Sequence, residues 1–341
     1  VPSGHAELAR LLVRRLAARG LRIGFAPTPR ELSDAQDRRL DLAARRALPA
    51  RPDVALVCAP ADAFAQARGR CRIGLGFGEW QRVPPAWASA ADRLDLLLVP
   101  DAFQHDAFRA AGVRAPIGIL PLGVDGDYCH PRIAAPREPH GRFVFLAAAE
   151  QLARDAPELV VEAFRRAFPA AAPVELLLHV HPGRDAAAIA AAVAAARAGD
   201  VRVRVLDRWG YPWHQRAFLL ASVDAHVSAR RGGGWHPLAA EAIACGRILI
   251  ATEFGSQAQI VRAHGLPVAV ARQVEDPRRP GAWWAEPDLD SLARQMRGAF
   301  EQRAGLLERA QAGADGFVPA HDIEPTADRM LHVLGRTARR A

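Results

Sequence analysis

The strongest constraint in this sequence is a pattern that runs twice. Apolar runs of strand length alternate with amphipathic stretches of helix length, on both sides of a proline-rich break. Continuous apolar runs are what strands buried on both faces require. Helical stretches between them are what joins parallel strands. The pattern therefore predicts an α/β protein with two doubly wound, Rossmann-like domains.

In the first half the spacing predicts a helix over His5–Arg19, stopped at Gly20, then a strand over Leu21–Phe25 and a helix over Asp34–Leu48. A strand over Asp53–Cys58 follows, then a short helix over Ala61–Arg68 and strands at Arg72–Gly76 and Leu94–Val99. A helix over Phe103–Ala111 and a strand over Ile117–Leu120 close this half. An α/β domain normally opens on a strand, so opening on a helix implies one upstream of Val1. Residues 126–141 are proline-rich and aperiodic and read as a linker.

The second half predicts strands at Phe143–Ala147, Val174–Val180, Val201–Leu206, Ala225–Ser228, Ile248–Thr252 and Val268–Val270. Helices are expected at Pro157–Phe168, Ala186–Ala198, Trp213–Ala221, Leu238–Ala244 and Gln257–Ala263. Asp288–Arg309 and Thr326–Thr337 also have helical spacing. The expected organisation is one domain over 1–125, a second over 142–315, and a C-terminal helix in 316–341 packing back on the first domain. Ligands of such sheets bind at the carboxyl ends of the strands, and the cleft between two facing domains is the expected site.

Composition narrows the function classes. At 341 residues, half of them apolar, the chain can build two cores. Net charge is +8, every basic residue is arginine, and lysine and asparagine are absent, which fits a GC-rich, bacterial coding bias. The arginines are scattered among acids, which argues against nucleic acid and leaves weak peripheral attraction to an anionic membrane surface. No apolar run is long enough to span a bilayer and no leader segment is visible, so a cytoplasmic location is expected, at the inner face of the membrane if membrane-associated. Cys58, Cys71, Cys129 and Cys245 show no metal or disulfide spacing and read as small core residues. His179 and His181 fall on one face of a strand, but a pair without a third ligand makes no metal site.

One stretch carries chemistry. In Arg230–Gly246 two arginines precede Gly232, Gly233 and Gly234. Trp235, His236 and an amphipathic helix with a single acid, Glu241, follow. A glycine loop feeding a helix can cradle an anion on its N–H groups, or it can be a tight helix entry and nothing more. No G-x-S-x-G element and no Walker A motif are present.

These residues, with Glu79–Pro84, Val99–Gly112, Pro121–Asp125, Phe143–Pro157 and Trp284–Pro287, resemble the retaining GT-B glycosyltransferases of family GT4 (glycosyl transferases group 1). The resemblance implies transfer of a sugar from a nucleotide-sugar to a glycan, lipid or protein acceptor, as in polysaccharide biosynthesis. No metal and no cofactor beyond that substrate are implied. A basic pair and helix N-termini would stabilise the leaving diphosphate, because negative charge grows there as the glycosidic bond breaks.

The family's E-x7-E segment maps its second acid, the ribose holder, onto Glu241. The sugar-contacting first acid falls on Gly233. Its basic pair falls on Glu150 and Asp155, two acids that would repel a diphosphate. Arg154, Arg208 and Arg231 are the cations that can replace the pair, with Arg184 and Arg230 as further donor-site cations on loops. Gly232, Gly233, Gly234, Trp235 and His236 complete the expected donor site; Trp235 and His236 pack either on the ligand or behind the loop. Glu79 either orients an acceptor hydroxyl or caps a helix. The departures keep a second reading open, a catalytically silent GT-B protein that binds a nucleotide or a partner.

Overall fold

A computed structural model describes residues 4–24, 52–135, 141–181, 185–206 and 213–338. The chain divides into two units, and the first is built from both of its ends. Unit 1 comprises Val1–Asp125 with His321–Ala341, and unit 2 comprises Gly126–Ala320.

Unit 1 opens with α1 (Gly4–Ala18), whose Leu8, Leu12 and Leu16 form the buried stripe. Leu21–Gly24 form no strand, contrary to the expectation for Leu21–Phe25, while Phe25 and the expected helix at Asp34–Leu48 lie outside the described residues. Strands β1 (Val54–Cys58), β2 (Cys71–Leu75), β3 (Leu96–Val99) and β4 (Ile117–Ile119) form a parallel sheet in sequence order. Between them lie a 3₁₀ turn (Ala61–Gln66), α2 (Pro85–Ala91) and α3 (Ala102–Ala110). Asp101 caps α3 by accepting the Gln104 N–H at 3.0 Å.

The last helix of the chain, α12 (Ile323–Ala338), belongs to unit 1. Its entry pairs with the segment after β4 through Val124 N–H to His321 O at 2.8 Å and Ile323 N–H to Val124 O at 2.9 Å. Thr326 donates to Pro121 O at 2.7 Å, and Arg19, just after α1, reaches Glu324 and Asp328 at 2.6 and 2.7 Å. Only glycine fits at position 123, because an added Cβ would lie 2.5 Å from Asp322 O.

Unit 2 is a six-stranded, all-parallel sheet. Its strands are β5 (Phe143–Ala149), β6 (Val174–Val180), β7 (Val203–Leu206), β8 (Ala225–Ser228), β9 (Ile248–Thr252) and β10 (Leu266–Val268), in the order β10-β9-β8-β5-β6-β7. That is the doubly wound order, with the reversal between β5 and β8. One face packs Phe143 and Phe145 against α5 (Pro157–Ala167) and α10 (Leu289–Glu301), where Phe145, Phe164, Phe168 and Phe300 make a contiguous aromatic cluster. A one-turn helix, α4 (Leu152–Asp155), follows β5, and α6 (Ala186–Arg197) follows β6. Helices α7 (Trp213–Ala221), α8 (Pro237–Ala244) and α9 (Ser256–His264) complete the alternation.

Three expectations are corrected here. Val268–Val270 is not one strand: β10 ends at Val268, and β11 (Val270–Glu275) pairs antiparallel with β12 (Trp283–Pro287) in a two-stranded ribbon. The helical spacing over Asp288–Arg309 resolves into α10 and α11 (Arg303–Ala320), broken at Gln302. Helix α11 runs past residue 315 and stays in unit 2 to Ala320.

Candidate functional site

In a doubly wound sheet, connections run to opposite sides from the two strands at the reversal, and their carboxyl ends leave a crevice. In unit 2 those strands are β5 and β8; α4, which follows β5, carries Arg154, and the loop after β8 carries Arg230. Both arginines meet at Asp155. Arg154 grips its carboxylate with Nε to Oδ1 at 2.7 Å and Nη2 to Oδ2 at 3.0 Å. Arg230 Nε lies 3.4 Å from Oδ1, and both Asp155 and Arg230 are buried. The carboxylate also accepts the backbone N–H groups of Glu150 at 2.8 Å and Gln151 at 2.9 Å, which fixes the turn after β5. Burial alone would push the Asp155 carboxyl up. The adjacent Arg154 and Arg230 and the Gln151 N–H outweigh it and hold the group well below the usual carboxylate range.

Glu150 and Asp155, the two acids expected to oppose a diphosphate, both lie against Arg154. Glu150 accepts from Arg154 Nη2 at 3.2 Å, so both acids are engaged by arginine. They position cations at the reversal point. Two guanidiniums held there, beside the glycine loop, can bind an anion.

The glycine loop is held on three sides by backbone bonds. Arg231 N–H donates to Arg154 O at 2.7 Å, Ala285 N–H to Arg231 O at 3.0 Å, and Ser256 N–H to Gly233 O at 2.8 Å. The Arg231 side chain is engaged by an acid and a backbone carbonyl. It donates to Glu286 of β12 at 2.5 and 3.0 Å and to Ala153 O at 2.8 Å. Burial acts against its charge, yet Glu286 and Glu158 outweigh that and raise its pKa. Arg231, expected as a catalytic cation, thus ties the turn after β5 to β12.

Gly232, Gly233 and Gly234 are all buried. A Cβ on Gly233 would lie 2.8 Å from Gly255 Cα and 2.9 Å from the Phe254 ring, so the position has no room for an acid. Trp235 is buried, and His236 turns inward, its ring 5.5 Å from that of His226. Gln257 Nε2 donates to Thr252 O at 3.0 Å, which leaves Oε1 to accept from His236 Nδ1 at 3.3 Å. Burial, with Arg230 nearby, holds His236 well below the usual histidine range.

Glu241 lies on α8, as its spacing implied, but its carboxylate is taken. Arg216 of α7 donates Nε to Oε2 at 2.8 Å and Nη2 to Oε1. Sequence reasoning missed Arg216, because 25 residues separate the partners and no local pattern links them. His179, near the end of β6, is pushed down to about 4 by burial, with His181 and Arg216 adding to the effect.

Glu79 lies in unit 1 in the loop after β2. The next helix begins at Pro85 with Pro84 ahead of it, so Glu79 caps no helix. Arg184 and Arg208 lie outside the described residues. Among the described residues no group of three or more His, Cys, Asp or Glu could hold a metal ion, and no helix is long and apolar enough to cross a membrane.

No family model and no curated protein sequence matches the chain. Solved structures do. The chain is similar to an α,α-trehalose-phosphate synthase (UDP-forming) from Burkholderia vietnamiensis, with TM-score 0.63 at 14% identity over 81% of this chain and 69% of that one. It is similar to a glycosyltransferase from Rickettsia africae ESF-5, with TM-score 0.64 at 13% identity over 100% of this chain and 83% of that one. HepE from Anabaena, solved in complex with UDP-glucose, gives TM-score 0.64 at 14% identity over 83% of this chain and 79% of that one. The protein has the GT-B fold of these glycosyltransferases, built from two Rossmann-like α/β units.

Proposed function

We propose that the protein is a metal-independent, retaining glycosyltransferase of the GT4 type that takes a nucleotide-sugar in unit 2 and transfers its sugar to a glycan, lipid or protein acceptor. The observation that carries this reading is the Asp155 assembly: Arg154 and Arg230 are held together where the loops after β5 and β8 leave the sheet. An arginine pair stabilises the growing charge on a leaving diphosphate without a metal ion. Its structural neighbours include UDP-forming trehalose-phosphate synthases, one of them solved with glucose-6-phosphate, which makes a UDP-sugar and a phosphosugar the first donor and acceptor to try.

Calorimetry with UDP, GDP and ADP and their glucose conjugates tests the donor site. Binding by at least one is expected, with Arg230→Ala weakening it about tenfold or more. Folded protein that binds none of them would remove the proposal.

A second reading is favoured by two observations. Gly233 leaves no space for a sugar-contacting acid, and Glu241 is paired with Arg216. A protein with these features that binds nucleotide but neither hydrolyses nor transfers the sugar would be a silent GT-B subunit. Donor hydrolysis by the wild type, lost in Arg154→Ala, separates the two readings.

A further inference from the structure

Cys129 and Cys245 are far apart in sequence and no local spacing links them, yet their thiols meet. Residues 126–135 contain no helix or strand, and Cys129 is the one among them that is buried. Its neighbours Asp127 and Tyr128 are exposed, so the segment sends a single thiol inward. Cys245 receives it at the end of α8. There the Cys245 N–H donates to Glu241 O at 2.9 Å, and the Cys245 carbonyl accepts from Arg247 Nε at 2.9 Å. An added Cβ on the next residue, Gly246, would lie 3.3 Å from Pro131 Cβ and 3.2 Å from Gln311 of α11. The first residues of unit 2 therefore run against the closing turn of α8. One side of the contact is fixed by a helix, and the other stands on an irregular segment.

The Cys129 S–H donates to the Cys245 sulfur, and both residues are free cysteines. That contact, then burial, then the charge of Glu241 hold the proton on Cys129. The pair therefore rests as two thiols. A packing contact needs only two small side chains here; two thiols in contact can also close covalently. A disulfide draws its sulfurs to about 2 Å, so closure from contact takes a shift on the order of an ångström or two. A segment without helix or strand can supply it.

We propose that Cys129 and Cys245 form a reversible disulfide that staples the start of unit 2 to the end of α8 when the protein meets a peroxide. Each sulfur gives up one proton and one electron, the O–O bond of hydrogen peroxide breaks, and two water molecules leave. A dithiol reductant restores both thiols by exchange. Cys58 and Cys71 lie in unit 1, where Cys58 Sγ donates to His5 O at 3.3 Å, and they serve as internal controls.

The test is peptide mapping of the full chain, reduced, freed of reductant, treated with hydrogen peroxide and then alkylated in denaturant. Two of the four thiols should disappear, with a mass lower by two hydrogens and a Cys129–Cys245 cross-linked peptide that dithiothreitol releases. Retention of both thiols, a sulfinic acid at either one, or a bridge to another cysteine would overturn the proposal. Chymotrypsin cutting after Tyr128 reads the pinning, because cleavage needs the segment to open. The oxidised protein should be nicked about tenfold more slowly than the reduced one, and equal rates count against the staple. Cys58→Ala should keep both the bridge and the slower nicking. Cys129→Ala should lose both, and slowing by peroxide in that variant would place the effect elsewhere. Where Cys129→Ala does not fold, the wild-type map decides.

Discussion

Asp155 organises more of unit 2 than its single charge suggests. It fixes the turn after β5 through two backbone N–H groups and holds two arginines that are far apart in sequence, Arg154 and Arg230. Asparagine keeps the size and one acceptor but removes the charge. Asp155→Asn should therefore cost about 3 kcal/mol, since removing one partner of a buried ion cluster leaves the others uncompensated. Urea denaturation of the two proteins reads this, and a difference under about 1 kcal/mol would mean that Asp155 does not hold the cluster. The close approach of Gly233 and Gly255 makes a second demand. Gly255 has φ +66°, and a Cβ there would lie 2.2 Å from Gly233 Cα. Gly255→Ala adds backbone strain to that clash and should lower stability by more than the ~1–3 kcal/mol expected of overpacking alone. Gly233→Ala, where a Cβ would approach no closer than 2.8 Å and the backbone is not left-handed, should cost less. Equal melting temperatures for Gly255→Ala and wild type would show that the two loops separate freely.

At the scale of elements, β6 and β8 bury histidines where an interior strand usually carries apolar groups. His226 bonds Leu146 O through Nδ1 at 3.0 Å, and its buried Nε2 has no hydrogen-bond partner among the described residues. Burial pushes His179 and His226 each down to about 4, from an ordinary value near 6.5. The folded state thus binds fewer protons than the unfolded chain between pH 6.5 and 4, so stability falls as the pH drops through that window. By pH 4 the loss should approach roughly 3 kcal/mol per histidine, and Asp155 adds its own loss only at still lower pH. Denaturation midpoints from pH 7.5 to 4.5 should show this slope, and His226→Leu should flatten it by one histidine's share; an unchanged slope would place the acid sensitivity elsewhere.

The same elements show what sequence can and cannot say. Strands β5, β6 and β9 were legible because a strand buried on both faces is a continuous apolar run. β11 was not, because five of its six residues are exposed and its pattern resembles a loop. The break at Gln302 was hidden because helical spacing continues across it. In the site, the glycine loop and Glu241 were legible as local motifs. The partners Arg216–Glu241, Arg230–Asp155 and Arg231–Glu286 were not, because tertiary folding alone brings them together.

For the whole molecule, the chain's path matters more than the order of its elements. It leaves unit 1 at Asp125, builds all of unit 2, and returns to unit 1 at His321. Unit 1 therefore depends on its last residues. They pair with Val124, donate to Pro121 O, and place Glu324 and Asp328 against Arg15 of α1 and Arg19 just after it. Among the described residues, the core of unit 2, including Phe145, Val161, Leu176 and Met296, contains none from beyond Ala320. A chain ending at Ala320 should then lose stability in unit 1 and keep it in unit 2. Calorimetry of the full chain should resolve two transitions, and the truncation should lower or abolish one of them while the other moves by no more than a few degrees. Nucleotide binding, proposed for unit 2, should survive at a temperature between the two. A single transition that moves as a whole would mean that the units unfold cooperatively and that the last helix stabilises both.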